Sequence, residues 1–158
     1  MPETARDQIE PRIQQVSFFL PNRVGALRRA LHLLEARGVR IGGVVILDAA
    51  DHAVIRLVVD RSEAALEALV AEGYGGCITE ILGAAMPPGP RFSIQRVFAV
   101  LLGAEVNVEY AYALVMQADG CSILALQADD LTTAGHVLRR NGFVLVGQDQ
   151  LTWPSSDA

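Results

Sequence analysis

The chain has 158 residues, of which 51% are hydrophobic and 20% charged, and its formal net charge is −5. This composition supports one domain or two small ones with a real core and excludes a disordered chain. The acidic balance argues against a nucleic-acid partner, and neither a membrane span of roughly 18 apolar residues nor a signal peptide is present, so we expect no membrane association.

The first half of the chain, after a polar tail, alternates between strand and helix patterns. Apolar residues alternate along residues 13–20, which predicts a strand, and Asn22 is placed to cap the helix that follows. Two β-rich segments then meet at a turn, and Asp60 or Ser62 is placed to cap a second helix. A fourth strand completes the order β-α-β-β-α-β. The predicted strands are residues 13–20, 40–49, 53–60 and 77–84.

The second half follows a Pro-Pro-Gly-Pro segment at residues 87–90, which predicts a linker. A helix with Ser93 at its start, two strands around an Ala-Asp-Gly turn, a helix capped by Asp129 or Asp130 and a last strand predict the same order again. Its opening strand is either the 77–84 segment itself or a shortened one. The predicted elements are a helix at 93–104, strands at 106–116 and 122–128, a helix that Gly142 ends and a strand at 143–152.

The two halves match position by position. Six apolar positions of the first helix and the next strand repeat at an offset of 67, which becomes 69 after the hairpin, where turn tips tolerate insertions. The repeat predicts an α+β fold of two units, at residues 12–86 and 87–153, each too small to stand securely alone. At the first offset Leu27, Ala30, Leu31, Leu34, Val39 and Ile41 fall on Ile94, Val97, Phe98, Leu101, Val106 and Val108.

The sequence offers no catalytic or metal-binding constellation. His32, His52 and His136 lack the spacing that a metal or a proton relay needs, and no serine lies in a nucleophile elbow. Cys77 and Cys121 lie apart in apolar segments, which indicates core side chains in a reducing, cytoplasmic protein. We therefore expect a protein that is not an enzyme and that uses no metal or cofactor.

The first strand-to-helix turn, at residues 20–27, is the first candidate site. A helix start leaves backbone N–H groups unpaired and carries partial positive charge, so it suits a carboxylate. Gly25 lets a ligand approach that backbone, Arg23 adds a charge, and Asn22 either caps the helix or contacts the ligand. The alternative is an ordinary capped helix with a packing glycine.

The second candidate is the strand around residues 107–112. Strict alternation places Val108, Tyr110 and Tyr112 on one face, where two hydroxyls would line a partly polar pocket. Asn107 and Glu109 fall on the other face, and Glu109 is suited to a ligand ammonium group. The alternative is that the tyrosines pack under a helix with their hydroxyls at the edge.

Three segments of this chain resemble the ACT domain family. They are the turn Asn-Arg-Val-Gly-Ala-Leu at residues 22–27 with the Val-Arg-Ile opening the next strand, the hairpin at 48–60, and the strand at 107–113. The resemblance covers residues 13–152 and implies two ferredoxin-like units that bind an amino acid or related carboxylate at an interface between units. The ligand positions that it implies are Asn22, Arg23, Val24, Gly25, Ala26 and Leu27.

Each unit departs from the family pattern in a different way. Val24 replaces the usual proline of the first turn, and Phe92 takes the place of the glycine in the second, where its ring would cover the N–H groups. Arg40 replaces the family asparagine in the first unit, whereas Asn107 retains it in the second. We therefore expect one composite site, centred on Gly25 and completed by a neighbouring unit's strand with Asn107, Glu109 and Tyr110.

The function predicted from these residues is a non-catalytic regulatory module. The protein would form a homodimer, bind its ligand between units and act on a separate enzyme, because no effector domain is evident in the sequence. Two other functions stay open. One is a structural subunit that binds no small molecule, and the other is a small enzyme that uses Glu109 and Tyr110.

Overall fold

The computed structural model describes residues 10–21 and 23–153. The secondary structure follows the predicted order twice. The strands are β1 (Ile13–Pro21), β2 (Ile41–Asp48), β3 (His52–Val59), β4 (Gly76–Met86), β5 (Val108–Ala118), β6 (Cys121–Ala128) and β7 (Val144–Val146). The helices are α1 (Ala26–Ala36), α2 (Ser62–Ala71), α3 (Ile94–Gly103) and α4 (Leu131–Arg140), with 3-10 turns at Pro90–Phe92 and Gln148–Gln150.

The helix starts differ in how they are capped. Ser93 and Asp130 cap α3 and α4 through their side chains, as predicted. Helix α2 has Arg61 at the cap position, so the expectation of Asp60 or Ser62 there is wrong. The carboxylate of Asp60 instead accepts hydrogen bonds from Arg40, at 2.8 Å from its backbone N–H and 3.0 Å from its guanidinium.

The strands form one continuous path in the order β2-β3-β1-β4-β6-β5, with β7 beside β4. The first half of β4 pairs with β1, and its second half pairs with β6 and β7. Strand β4 therefore closes the first sheet and opens the second, so the second unit borrows its first strand. Each sheet has the antiparallel order of a ferredoxin-like βαββαβ unit, which confirms the predicted fold class. A division between residues 86 and 87, after this shared strand, stays a prediction.

Three apolar cores hold the molecule together. One lies between the first sheet and helices α1 and α2, and another lies between the second sheet and helices α3 and α4. The third joins the inner faces of the two sheets and contains no helix residue; Ile13, Val58 and Ile81 of the first sheet meet Leu114 and Ile123 of the second there. The sheets thus face each other with the helices outside.

Two glycines allow the ends of the strand path to meet. A Cβ atom on Gly43 would lie 2.5 Å from Cδ2 of Leu114, and one on Gly42 would overlap the terminal methyl of Met116. Strand β2 of the first unit can therefore lie directly against β5 of the second. Gly42 and Gly43 therefore serve the close packing of β2 on β5. Their sequence does not match the pattern of a phosphate-binding loop.

Several sequence predictions fail at the ends of elements. The last strand is only three residues long, because the chain turns at Gly147 into a 3-10 turn instead of continuing to residue 152.

Cys77 is exposed and Cys121 half-buried, and both are free thiols, so neither is a fully buried core residue. No helix among the described residues is long and apolar enough to cross a membrane.

Candidate functional site

The first strand-to-helix turn is shaped by Gly25. The N–H of Arg23 donates to the carbonyl of Pro21 at 2.8 Å, which turns the chain sharply after β1. Gly25 then adopts a left-handed conformation, with φ of 80°, and occupies the cap position of α1. A side chain at this φ is strained, which explains why glycine stands there. The predicted cap, Asn22, lies outside the described residues.

Helix α1 begins without a side-chain cap among the described residues. The N–H of Ala26 donates to the carbonyl of Arg23 at 3.2 Å, and that of Arg29 to Gly25 at 3.1 Å. The N–H groups of Leu27 and Arg28 have no partner within the described part of the chain. These are the groups that a helix start offers to an anion.

An open groove of about 650 Å³ runs along α1 from this turn. Its charged side chains are two arginines, one histidine and one glutamate. All of its lining residues belong to the first unit, and they are Arg23, Gly25, Leu27, Arg28, Leu31, His32 and Glu35. The positive end of the helix and the two arginines lie at the same end of the groove, which therefore favours a negatively charged group.

The matching turn of the second unit is closed. Ser93 accepts a hydrogen bond from the backbone N–H of Arg96 at 3.2 Å, so its helix start already has a polar partner. Phe92, at the position equivalent to Gly25, packs edge-on against Phe143 with ring centroids 5.8 Å apart. The absence of a carboxylate site in the second unit stays a prediction.

Only some of the residues predicted at the first turn face the groove. Arg23, Gly25 and Leu27 line it. Val24 is fully exposed and is not part of the lining, while Ala26 is buried, 4% exposed, in the core under the helix. Arg28 and His32 line the groove but were missed, although their positions one and two turns into the helix, on the side of Leu27, mark them in the sequence.

In the second unit, Asn107 pairs with Asp129, which lies 22 residues further along the chain. Its N–H donates to the carboxylate of Asp129 at 3.1 Å, and the N–H of Asp129 returns a bond to its carbonyl at 3.1 Å. Arg40 and Asp60 make the same exchange in the first unit, so this position ties two segments together whichever residue fills it. Glu109 is exposed.

The register of β5 shifts between Val108 and Tyr110. Val108 packs towards the helices of the second unit, whereas Tyr110 and Tyr112 face the other sheet. The prediction that these three residues share one face is therefore wrong, because a β-bulge at Glu109 interrupts the alternation. The alternative of tyrosines under a helix is also wrong.

The two tyrosines form a polar network between the sheets, centred on Gln15, which is fully buried. Tyr112 donates to the side-chain carbonyl of Gln15 at 2.7 Å, and the Gln15 amide donates to the Tyr110 hydroxyl at 2.8 Å. The guanidinium of Arg56 lies 4.5 Å from the Tyr110 ring centre and donates to Ser17 at 3.0 Å. Gln15 and Ser17 were missed, but as polar residues on one side of a buried strand they are visible in the sequence.

Burial raises the pKa of Tyr112 well above its usual value, and the neighbouring Tyr110 raises it further, while Arg56 opposes the shift. The hydroxyl therefore stays protonated and serves as a hydrogen-bond donor to Gln15. This network links β1 of the first unit to β5 of the second.

The groove and the tyrosines lie on opposite faces of the first sheet. Helix α1, with Gly25 at its start, covers one face, and Tyr110 contacts Gln15 on the other. Within one chain, therefore, the structure does not bring the Gly25 turn together with Asn107, Glu109 and Tyr110. No group of three or more side chains suited to a metal lies within the described ranges.

The structure thus shows a duplicated βαββαβ unit with a left-handed glycine at the start of its first helix. The chain belongs to the ACT domain pair family, whose model matches residues 11–153. The ACT domain pair is a regulatory module and not a catalytic one. No curated protein matches the chain.

Solved structures with the same fold include two that cover most of the chain. Protein BT0572 from Bacteroides thetaiotaomicron is 22% identical, with a TM-score of 0.77 over 88% of this chain and 94% of that one. The ligand-free regulatory subunit of aspartate kinase from Thermus thermophilus is 16% identical, with a TM-score of 0.57 over 85% and 95%. At these identities the likeness establishes the fold.

Proposed function

We propose that this ACT domain pair is a regulatory module that binds an amino acid or a related carboxylate in the groove at Gly25. The observation that carries the proposal is the start of α1, where a left-handed glycine stands at the cap position without a side-chain cap. The ligand carboxylate would bind the backbone N–H groups there, as anions commonly do at helix starts.

The side chains of the groove support this orientation. Arg23 and Arg28 add positive charge beside the helix start, and Leu27 and Leu31 offer an apolar wall. His32 and Glu35 supply polar groups further along the helix, suited to the rest of the ligand. Because the groove is open to solvent, a second surface is needed to close over the ligand.

Regulation follows if that second surface belongs to another protein molecule. A ligand held between two surfaces binds the assembled arrangement more tightly than the separated one and shifts the equilibrium towards it. The likeness to a regulatory subunit of aspartate kinase supports such a role beside a separate enzyme. We propose a homodimer as the assembled form, and a cytoplasmic location remains part of the proposal.

The direct test is a thermal-shift screen with the twenty amino acids and a set of aromatic carboxylates, followed by calorimetry of the hits. A ligand at a hundred times its Kd stabilises a folded protein by about 2.7 kcal/mol, which is easily measured. At least one compound should raise Tm at millimolar concentration. If none does, the proposal fails and the structural-subunit function takes its place.

A further inference from the structure

Three exposed arginine side chains meet at the start of α1, where the groove begins. Arg23 and Arg28 line the groove. The side chain of Arg29 points back along the helix, and one terminal nitrogen of its guanidinium lies 3.3 Å from the position that a Cβ atom on Gly25 would take. Arg29 therefore adds a third positive charge beside the glycine at which the proposed ligand binds.

The arginines of this turn have no acidic partner within the described part of the chain. No aspartate or glutamate occurs from residue 11 to residue 34, and the first turn of α1 contains no acidic residue. The ion pairs between described residues join Arg12 to Glu80, Arg40 to Asp60 and Arg139 to Glu10. Because the formal net charge of the chain is −5, the turn is a positive region on an acidic protein.

These charges act against the stability of α1. The start of a helix is its positive end, so a positive side chain there destabilises the helix, and neighbouring positive charges also repel one another. The starts of two other helices have the opposite charge, since α2 has Glu63 in its first turn and α4 begins at Asp130. Features that oppose folding are expected where a protein binds or reacts, so the arginines indicate a role in ligand binding.

The amount of positive charge indicates the kind of ligand. Three guanidinium groups, together with about half an elementary charge at the helix start, exceed what one carboxylate neutralises. Glu35, the acidic residue of the groove lining, lies about 15 Å along the helix from Gly25, which is well beyond the screening length of about 8 Å at physiological salt. Compensation at the carboxylate end therefore has to come from the ligand.

We propose that the groove selects a ligand with two carboxylates, that is, a dicarboxylic acid or an acidic amino acid. One carboxylate binds the backbone N–H groups at the start of α1, and the other binds the guanidinium groups of Arg28 and Arg29, which suit carboxylates because they donate two parallel hydrogen bonds. The inference rests on the proposed function, since it names the ligand class of the same groove.

Calorimetry of the full chain with matched pairs of compounds tests the ligand class. Glutamate and glutamine, like aspartate and asparagine, have nearly equal size and differ by one negative charge. The acidic member of at least one pair should bind about tenfold more tightly or better at low salt, and its advantage should shrink as salt is added. Glutarate, which has two carboxylates and no ammonium group, should also bind.

The possible results separate this inference from the proposed function. Tighter binding of a neutral or basic amino acid than of both acidic ones would overturn the inference and leave the proposed function in place. Inorganic phosphate that binds as tightly as the best dicarboxylate would also overturn it, because the groove would then accept any doubly charged anion. If no compound binds, both the inference and the proposed function fail.

Two variants at opposite ends of α1 test the role of Arg29. Arg29→Gln should weaken binding of the acidic compound about tenfold and leave the affinity for its neutral counterpart unchanged. Arg37→Gln, at the C-cap of the same helix, is the matched control for the loss of one charge and should leave both affinities unchanged. Equal effects of the two variants on affinity would show that Arg29 has no part in selecting the ligand.

The stability of the same variants provides a test without any ligand. Arg29→Gln should raise Tm by about 1–3 °C, because a positive charge leaves the positive end of the helix. Arg37→Gln should lower Tm slightly, because a positive charge is favourable at the opposite end. A lower Tm for Arg29→Gln would mean that Arg29 serves the fold, and the inference would lose its basis.

Discussion

Helices α1 and α3 occupy the same place in the two units, yet they present different surfaces. Helix α1 begins at a left-handed glycine with no side-chain cap, whereas α3 begins at a serine that caps its own backbone. Beyond these starts, the residues that line the groove on α1 correspond to apolar or neutral residues on α3. The pairs at the offset of 67 are Leu27 and Ile94, Arg28 and Gln95, Leu31 and Phe98, His32 and Ala99, and Glu35 and Leu102.

The two copies of the unit therefore differ in the chemistry of the same helix face. The same helix face has become polar and open to solvent in the first unit, where a carboxylate would bind. In the second unit it has become an apolar stripe, and the ring of Phe92 lies against Phe143 at its start. We infer that the first unit recognises the ligand and that the second, whose helix start is already capped by Ser93, does not.

The largest effect is expected at the first turn. Gly25→Asp should lower ligand affinity at least a hundredfold, about 2.7 kcal/mol, because it places a negative charge where the carboxylate docks. Gly25→Asn is the matched control, with nearly the same size and backbone strain but no charge, and should lose much less. Calorimetry with a ligand from the screen measures both. Equal affinities for the two variants and the wild type would place the site elsewhere.

The second turn should respond in stability. Phe92→Ala removes a half-buried ring from its contact with Phe143 and should lower the free energy of unfolding by about 2 kcal/mol. Ligand affinity should not change, since Phe92 does not line the groove. Urea denaturation and calorimetry of the same sample separate the two effects. A loss of affinity without a loss of stability would contradict the division of roles.

A third variant converts one position of α1 into its counterpart on α3. Arg28→Gln should reduce ligand affinity by up to tenfold, about 1.4 kcal/mol, because one positive charge leaves the carboxylate end of the groove. Arg140→Gln, an exposed change on α4, controls for the loss of overall charge. The two variants should differ in affinity and agree in stability. If both bind like the wild type, Arg28 has no part in recognition.

Much of this fold follows from sequence. The hydrophobic periods and the repeat at 67 positions predict the element order, and the turn residues predict the hairpins. Asp119 and Gly120, for example, both take positive φ between β5 and β6. The Gly25 turn is also visible, because a glycine after a strand and before a helix commonly marks a positive φ, at which other residues are strained.

Other features depend on how distant segments pack. Strict alternation cannot anticipate the bulge that turns Val108 away from Tyr110, since a bulge is fixed by pairing with another strand. The sequence leaves open whether the second unit shares β4 with the first or has a shortened strand of its own. Only the packed structure decides this, because it depends on which strands pair with each half of β4. For the same reason, the separation of Gly25 and Tyr110 onto opposite faces could not be predicted.

The polar network between the sheets should stabilise the contact between the two units. Tyr112→Phe leaves the buried Gln15 carbonyl without its donor and should cost about 1 kcal/mol near neutral pH. A pH dependence should appear as well. Because the folded state raises the pKa of Tyr112, the wild type should lose stability above about pH 10, where only the unfolded chain ionises this hydroxyl. The loss is about 1.4 kcal/mol per pH unit and is absent from the Phe variant.

The chain contains no lysine, and its two other tyrosines and two cysteines are common to the wild type and the Phe variant, so the difference between the two proteins reports on Tyr112. Urea denaturation between pH 8 and 11 should therefore show two stability curves that run parallel up to about pH 10 and then converge. Convergence would mean that Tyr112 stays buried and protonated in the folded protein. Curves that remain parallel at high pH would mean that the folded state does not raise the pKa of Tyr112, and the buried contact between the sheets would be contradicted.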